Sequence, residues 1–219
     1  MRKTSIHAGD QMDHIYRHQR HIYDATRRHF LLGRDTLVAG LVPPEGSTVV
    51  EVGCGTARNL IEAARAYPNC RFFGFDISTV MLDTARPKIK AAGLEARIKV
   101  MPGDAANFDL QAMFDIPAAD RILMSYTLSM IPPWREALQC SARQLTDCGS
   151  MHIVDFGQLE QFPGLAKSAL YAWLARFSVS PRVDLTRELE QLADFHKLDC
   201  FIAHPFRGYA TYAVLRRTL

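Results

Sequence analysis

The chain has 219 residues, 48% apolar and 22% charged, with a formal net charge of +3, a composition that suits one folded domain with a sizeable core. No apolar run approaches the ~20 residues that cross a bilayer, and the polar, basic start is unlike a signal peptide. The five cysteines (Cys54, Cys70, Cys140, Cys148 and Cys200) are odd in number and lack CxxC spacing, which excludes a zinc or disulfide framework and fits reduced thiols in a cytosolic protein.

In chain order, the first predicted element is a helix over 11–31, where Ile15 and Ile22, and Tyr16, Tyr23 and Phe30, recur every seven positions. Charge concentrates here: residues 1–34 carry seven Lys/Arg against three acids, a local +4 that leaves −1 of the +3 total for the rest of the chain. Such a basic arm fits either an anionic partner or a solvated helix face. A second helix over Arg34–Leu41 is stopped by Pro43 and Pro44. Strands follow near 48–53, 71–76, 97–101, 120–125 and 150–155, with helices near 57–67, 78–92, 107–114 and 133–146 between them. The strands are mostly continuous apolar runs, the pattern of a parallel sheet covered on both faces. An apolar helix over 165–177, bracketed by Pro163 and Pro181, reads either as an interfacial or acyl-lining helix or as an ordinary core helix. A helix near 184–196 then leads to segments 198–204 and 209–216, joined by a stretch short enough for a hairpin. The expected architecture is α/β: a doubly wound, mostly parallel seven-stranded sheet closed by a C-terminal hairpin. A helical arm (1–42) precedes the main domain (43–219), which carries a helical insertion near 157–183.

Chemistry concentrates in Val49-Val50-Glu51-Val52-Gly53-Cys54-Gly55-Thr56-Ala57-Arg58-Asn59, followed by Phe72-Phe73-Gly74-Phe75-Asp76. This is a strand, a glycine turn opening a helix, and a second strand ending in an acid ~20 residues on, the layout that binds a nucleoside. A carboxylate just ahead of the glycines is of no use to a pyrophosphate but suits the ammonium of a bound methionine, so Glu51 favours S-adenosylmethionine over a dinucleotide. Ala57 stands where a third glycine is usual. The plain structural readings are a tight turn in any α/β protein, and Asp76 as a cap for the helix beginning near Ser78. Ligands in such sheets bind beyond the carboxyl ends of the strands. That rule assembles a rim from Gly53–Thr56, Asp76-Ile77, Gly103-Asp104-Ala105, Ser125-Tyr126 and Asp155-Phe156, with Arg207 and Tyr209 joining it if the last strand is antiparallel.

On these residues, together with Cys148-Gly149-Ser150, the chain resembles the class I S-adenosylmethionine-dependent methyltransferases. The resemblance implies a glycine loop beneath the methionine, Asp76 on the ribose and Asp104 at the adenine amine. The cofactor residues it suggests are Tyr23, Arg34, Glu51, Gly53, Cys54, Gly55, Asn59, Asp76, Ile77, Met81, Asp104, Ala105, Ser125 and Tyr126, with Tyr23 and Arg34 closing over the cofactor. No metal is expected. A narrower likeness lies in Tyr16–Arg27, Leu31–Asp35, Ser129–Leu138, His152–Gly157 and Arg207–Ala210, which together resemble the N-methyltransferase of bacterial betaine-lipid synthesis. That family methylates diacylglyceryl-homoserine three times, and the likeness implies a lipid acceptor at an anionic membrane surface, peripheral association with the inner membrane, and no nucleic-acid partner.

The implied reaction is an in-line displacement in which proximity supplies most of the rate. Desolvation lowers an amine pKa, so no base is strictly required; if one exists, Tyr126, Asp155 and Tyr209 are candidates, each with packing or capping as the alternative. Aromatic rings at Tyr16, Tyr23, Tyr126, Trp134 and Tyr209 could hold a methylated cation. Arg207 or Arg27 could pair with the headgroup carboxylate. Rival readings are methylation of phosphatidylethanolamine or of a soluble acceptor, a nicotinamide dehydrogenase, and a nucleotide- or RNA-binding module without catalysis.

Overall fold

The computed structural model describes residues 30–177 and 179–217. Most of the expected arm helix, including Tyr16, Tyr23 and Arg27, lies outside the described residues. Seven strands form one sheet: β1 (Thr48–Val52), β2 (Arg71–Asp76), β3 (Ile98–Pro102), β4 (Ala119–Ser125), β5 (Leu145–Phe156), β6 (Leu198–Ala203) and β7 (Ala210–Arg217). Their order is β3-β2-β1-β4-β5-β7-β6. The first five are parallel, and β7 inserts antiparallel between β5 and β6. This is the expected doubly wound sheet with its closing hairpin.

All five residues of β1 are buried because helices cover both faces. Val49, Leu123 and Val154 belong to one core layer with residues of α1 (Arg34–Gly40), α2 (Arg58–Ala66) and α3 (Thr79–Ala91). Val50, Val52, Met124 and Ile153 belong to the other, with residues of α4 (Leu110–Phe114), α5 (Trp134–Arg143) and α7 (Leu185–His196). Alternation along each strand therefore chooses between two apolar layers, which is why the strands read as continuous apolar runs.

Three local expectations change. The helix expected over 107–114 begins only at Leu110, where the Asp109 side chain accepts from the Gln111 and Ala112 N–H groups. β5 starts at Leu145 rather than near 150, with a register shift against β4 between Ala119 and Arg121. Gly149 sits in that irregular stretch, where a Cβ would lie 3.0 Å from the Ala119 carbonyl. The insertion helix α6 (Gly164–Ala175) fits neither reading whole: Leu174 is buried and Leu170, Tyr171 and Trp173 pack partly buried against the core, whereas Leu165 is 89% exposed.

Candidate active site

Pleating turns Glu51 toward the α2 side of the sheet, beside the layer containing Val49. Glu51 is 2% exposed. Its Oε1 accepts a 2.7 Å hydrogen bond from Asn59 Nδ2, the second residue of α2, whereas its buried Oε2 has no hydrogen-bond partner among the described residues. Burial pushes the carboxyl pKa up to about 8, against the pull of Asn59 and the Arg34 charge. Ser125, at the end of β4, likewise holds a buried Oγ without a partner. Buried polar atoms are nearly always satisfied, so two orphans on one cleft mark the place of a polar ligand.

The loop between β1 and α2 has its backbone at positive φ three times: 69° at Gly53, 52° at Gly55 and 60° at Ala57. A Cβ at Gly53 would come within 2.5 Å of Thr127 Cγ2, while one at Gly55 would meet nothing within 4 Å. Gly53 is thus required by packing, and Gly55 leaves open space above the loop. Ala57 adopts the left-handed conformation despite its methyl, at a cost of about 1–2 kcal/mol, and α2 still begins at Arg58. The departure from the glycine pattern leaves the turn intact.

Asp76 braces this loop. Its Oδ2 accepts from Gly55 N at 2.8 Å and its Oδ1 from Ser78 N at 2.9 Å. The N-cap of α3 is Ser78, whose Oγ accepts from Met81 N, so capping is not the main task of Asp76. Asp104 forms a turn of its own, with Oδ1 accepting from Ala106 N at 3.0 Å. Arg34, Glu51, Gly53, Cys54, Gly55, Asn59, Met81 and Ser125 line a single cleft, joined by Leu31, Thr56 and Arg58. Thr56 lies within the motif already singled out. Arg58 belongs to the same motif and Leu31 to the stretch Leu31–Asp35, but neither was singled out as a cofactor residue; for Leu31, only the fold brings the chain before α1 over the glycine loop. Asp76 and Ile77 stand at the end of β2, and Asp104 and Ala105 just beyond β3, at the same rim but outside that lining.

The proposed bases require correction. The Tyr126 hydroxyl donates to the Leu32 carbonyl at 2.6 Å, and burial raises its pKa far above the ordinary tyrosine value. The Tyr209 hydroxyl donates to the Phe30 carbonyl at 2.8 Å, and burial pushes its pKa up to about 12. Asp155 is buried, with Oδ2 accepting from Ser129 N at 3.1 Å and Oδ1 from Phe156 N at 2.7 Å. Burial raises its pKa while these bonds oppose the rise. All three are therefore placed as structural groups. Tyr126, Phe156 and Tyr209 form an edge-packed row, with centroids 4.6 Å and 5.8 Å apart, so the two tyrosines are packed rather than open to a cation. Trp134 also falls away from its expected substrate role. It is 4% exposed in the opposite core layer, beneath the Arg135 guanidinium at 4.3 Å. Arg207 is exposed in the turn before β7, with Nη2 donating to the Gln161 carbonyl at 2.8 Å.

Comparison with known proteins agrees with this geometry. Residues 49–149 match the family model described as "Methyltransferase domain". A carboxy-S-adenosyl-L-methionine synthase of Wolinella succinogenes is 36% identical over 108 residues, 48% of this chain and 41% of that protein. A demethylmenaquinone methyltransferase of Bacillus cytotoxicus is 29% identical over 133 residues, 60% of this chain and 54% of that protein. The chain thus spans about half the length of the curated relatives it matches. Among solved structures, an O-methyltransferase family protein from Burkholderia thailandensis superposes with a TM-score of 0.71 at 19% identity, over 90% of this chain and 58% of that one. The phosphoethanolamine N-methyltransferase 2 of Haemonchus contortus, in complex with S-adenosyl-L-methionine, gives 0.64 at 16% identity, over 78% of this chain and 38% of that one. At these identities the structural matches establish the fold.

Proposed function

We propose that the chain, whose residues 49–149 match the model described as "Methyltransferase domain", uses S-adenosylmethionine to methylate the amine of diacylglyceryl-homoserine three times, giving diacylglyceryl-trimethylhomoserine. One observation carries this reading. Segments far apart in the chain that resemble the betaine-lipid N-methyltransferases are tied to one another at a single rim beside the cofactor cleft. Tyr209 donates to Phe30, next to Leu31–Asp35; Gly157 N donates to the Tyr209 carbonyl; and Ser129 N donates to Asp155.

The residues fit the cofactor. Glu51 Oε2 suits the methionine ammonium, Arg34 the methionine carboxylate, Gly55 leaves room for the chain, and Asp76 and Asp104 suit the ribose and the adenine amine. When bound, S-adenosylmethionine supplies an electrophilic methyl and leaves as S-adenosylhomocysteine. The acceptor nitrogen must be neutral to attack. It therefore sheds a proton before each transfer, a nitrogen–carbon bond forms as the sulfur–carbon bond breaks, and the third transfer leaves a fixed cation. Desolvation at the rim lowers the amine pKa and eases each deprotonation, while the cleft holds the reacting atoms in line. Arg207, exposed beside the rim, suits the headgroup carboxylate.

The test is mass spectrometry of lipids after incubation with S-adenosylmethionine and vesicles carrying diacylglyceryl-homoserine or phosphatidylethanolamine. Stepwise mono-, di- and trimethylation of the homoserine lipid alone is expected. Methylation of phosphatidylethanolamine instead, or of neither lipid while S-adenosylhomocysteine still binds, would overturn the substrate and leave the domain and cofactor standing.

A further inference from the structure

The insertion between β5 and α7 presents an apolar face to solvent beside the rim. In α6, Leu165 is 89% exposed, and Ala166, Ala169, Ala172 and Ala175 are exposed as well. The patch continues beyond the helix. Phe30, 40% exposed, stacks on Trp173 with ring centroids 4.8 Å apart. Phe206, 47% exposed, projects from a turn in which it and Arg207 both have left-handed backbones, φ 57° and 61°, conformations that side-chain-bearing residues seldom adopt.

Charge frames this patch. Over residues 157–177 and 204–208 the cations are Lys167, Arg176 and Arg207, and the one acid is Glu160. Lys167 Nζ lies 5.6 Å from the Tyr171 ring centroid, and the Arg207 guanidinium 5.7 Å from that of Phe162, so both cations lie along the aromatic flank of the patch. Exposed aliphatic and aromatic side chains flanked by cations match the boundary between acyl chains and anionic headgroups. Charge complementarity therefore selects one occupant. We propose that α6 and the Phe206-Arg207 turn dock on an anionic lipid surface, seating Leu165 and Phe206 among the acyl chains and bringing the rim to the headgroups. This rests on the proposed lipid acceptor for its purpose, but the docking can be measured without turnover.

The test is co-sedimentation of the full chain with vesicles of phosphatidylcholine alone or with phosphatidylglycerol, for wild type, Leu165→Glu and Phe206→Ser. S-adenosylhomocysteine binding serves as the check that each variant is folded. The expected result is binding to phosphatidylglycerol vesicles that weakens at high salt, and a loss of ~10-fold or more in Leu165→Glu, as removal of one buried leucine predicts. Wild-type vesicle binding by both folded variants would overturn the proposal. So would a change in oligomeric state in Leu165→Glu with vesicle binding unaltered, since the patch would then be a protein interface. If wild type docks but leaves diacylglyceryl-homoserine unmethylated, the acceptor assignment fails and the docking surface stands.

Discussion

The Tyr126 hydroxyl grips the Leu32 carbonyl at 2.6 Å across 94 residues of sequence, holding the end of β4 to the strap that feeds α1. Tyr209 repeats the grip from the start of β7, on the Phe30 carbonyl. Between and after these bonds lie Leu31 and Arg34, both in the cleft lining. The two tyrosines thereby hold the chain segment that contributes Leu31 and Arg34 to the cleft wall.

Tyr126→Phe should therefore act on binding. Losing one largely buried hydrogen bond costs about 1–2 kcal/mol, and a thermal melt should show a corresponding fall. The KM for S-adenosylmethionine should rise several-fold while kcat and its pH profile hold. A general base would instead show a kcat loss of ~100-fold or more with loss of the basic limb of the profile, and that outcome would return Tyr126 to catalysis.

Glu51 predicts a pH-dependent stability. Its folded pKa is raised from 4.5 to about 8, so between those values the folded chain holds more protons than the unfolded one. The contribution from this group is fully present below pH about 4.5, declines as pH rises through the window, and is flat above about 8. Glu51→Gln should remove this slope in denaturant titrations across pH and stabilise the ligand-free chain at neutral pH. It should also weaken S-adenosylhomocysteine binding by ~10–100-fold, the worth of one charged hydrogen bond. Calorimetry in buffers of different ionisation enthalpy should record proton release when wild type binds and none in the variant.

Asp76→Ala removes the acceptor for Gly55 N as well as the expected ribose partner. Two charge-assisted bonds at about 1.5–3 kcal/mol each should reduce S-adenosylhomocysteine affinity by more than ~100-fold in a fluorescence titration. Wild-type affinity would refute the ribose assignment.

The loop offers a contrast between neighbours. Gly53→Ala forces a Cβ against Thr127 at a positive φ and should destabilise by about 2 kcal/mol or more with loss of cofactor binding. Ala57→Gly exchanges backbone strain for a buried methyl, terms of similar size near ~1 kcal/mol. Chemical denaturation should place it within ~1 kcal/mol of wild type with binding kept.

The run of strands and helices, the closing hairpin and the glycine loop were legible because apolar runs and turn residues act through local backbone geometry; the strand order came from the fold. Glu51, Gly53, Gly55 and Asp76 belong to one short motif whose spacing alone sets their placement. The rim was legible only by rule, and the roles within it were not. Whether Tyr126 and Tyr209 face a substrate or grip a carbonyl depends on where residues 30–32 cross the sheet. The core layer that takes Trp134 depends on how α5 packs, and the exposure of α6 on what covers it. Those are contacts between distant segments, and a one-dimensional pattern of residue types states that a side chain is apolar or ionisable without stating what it meets.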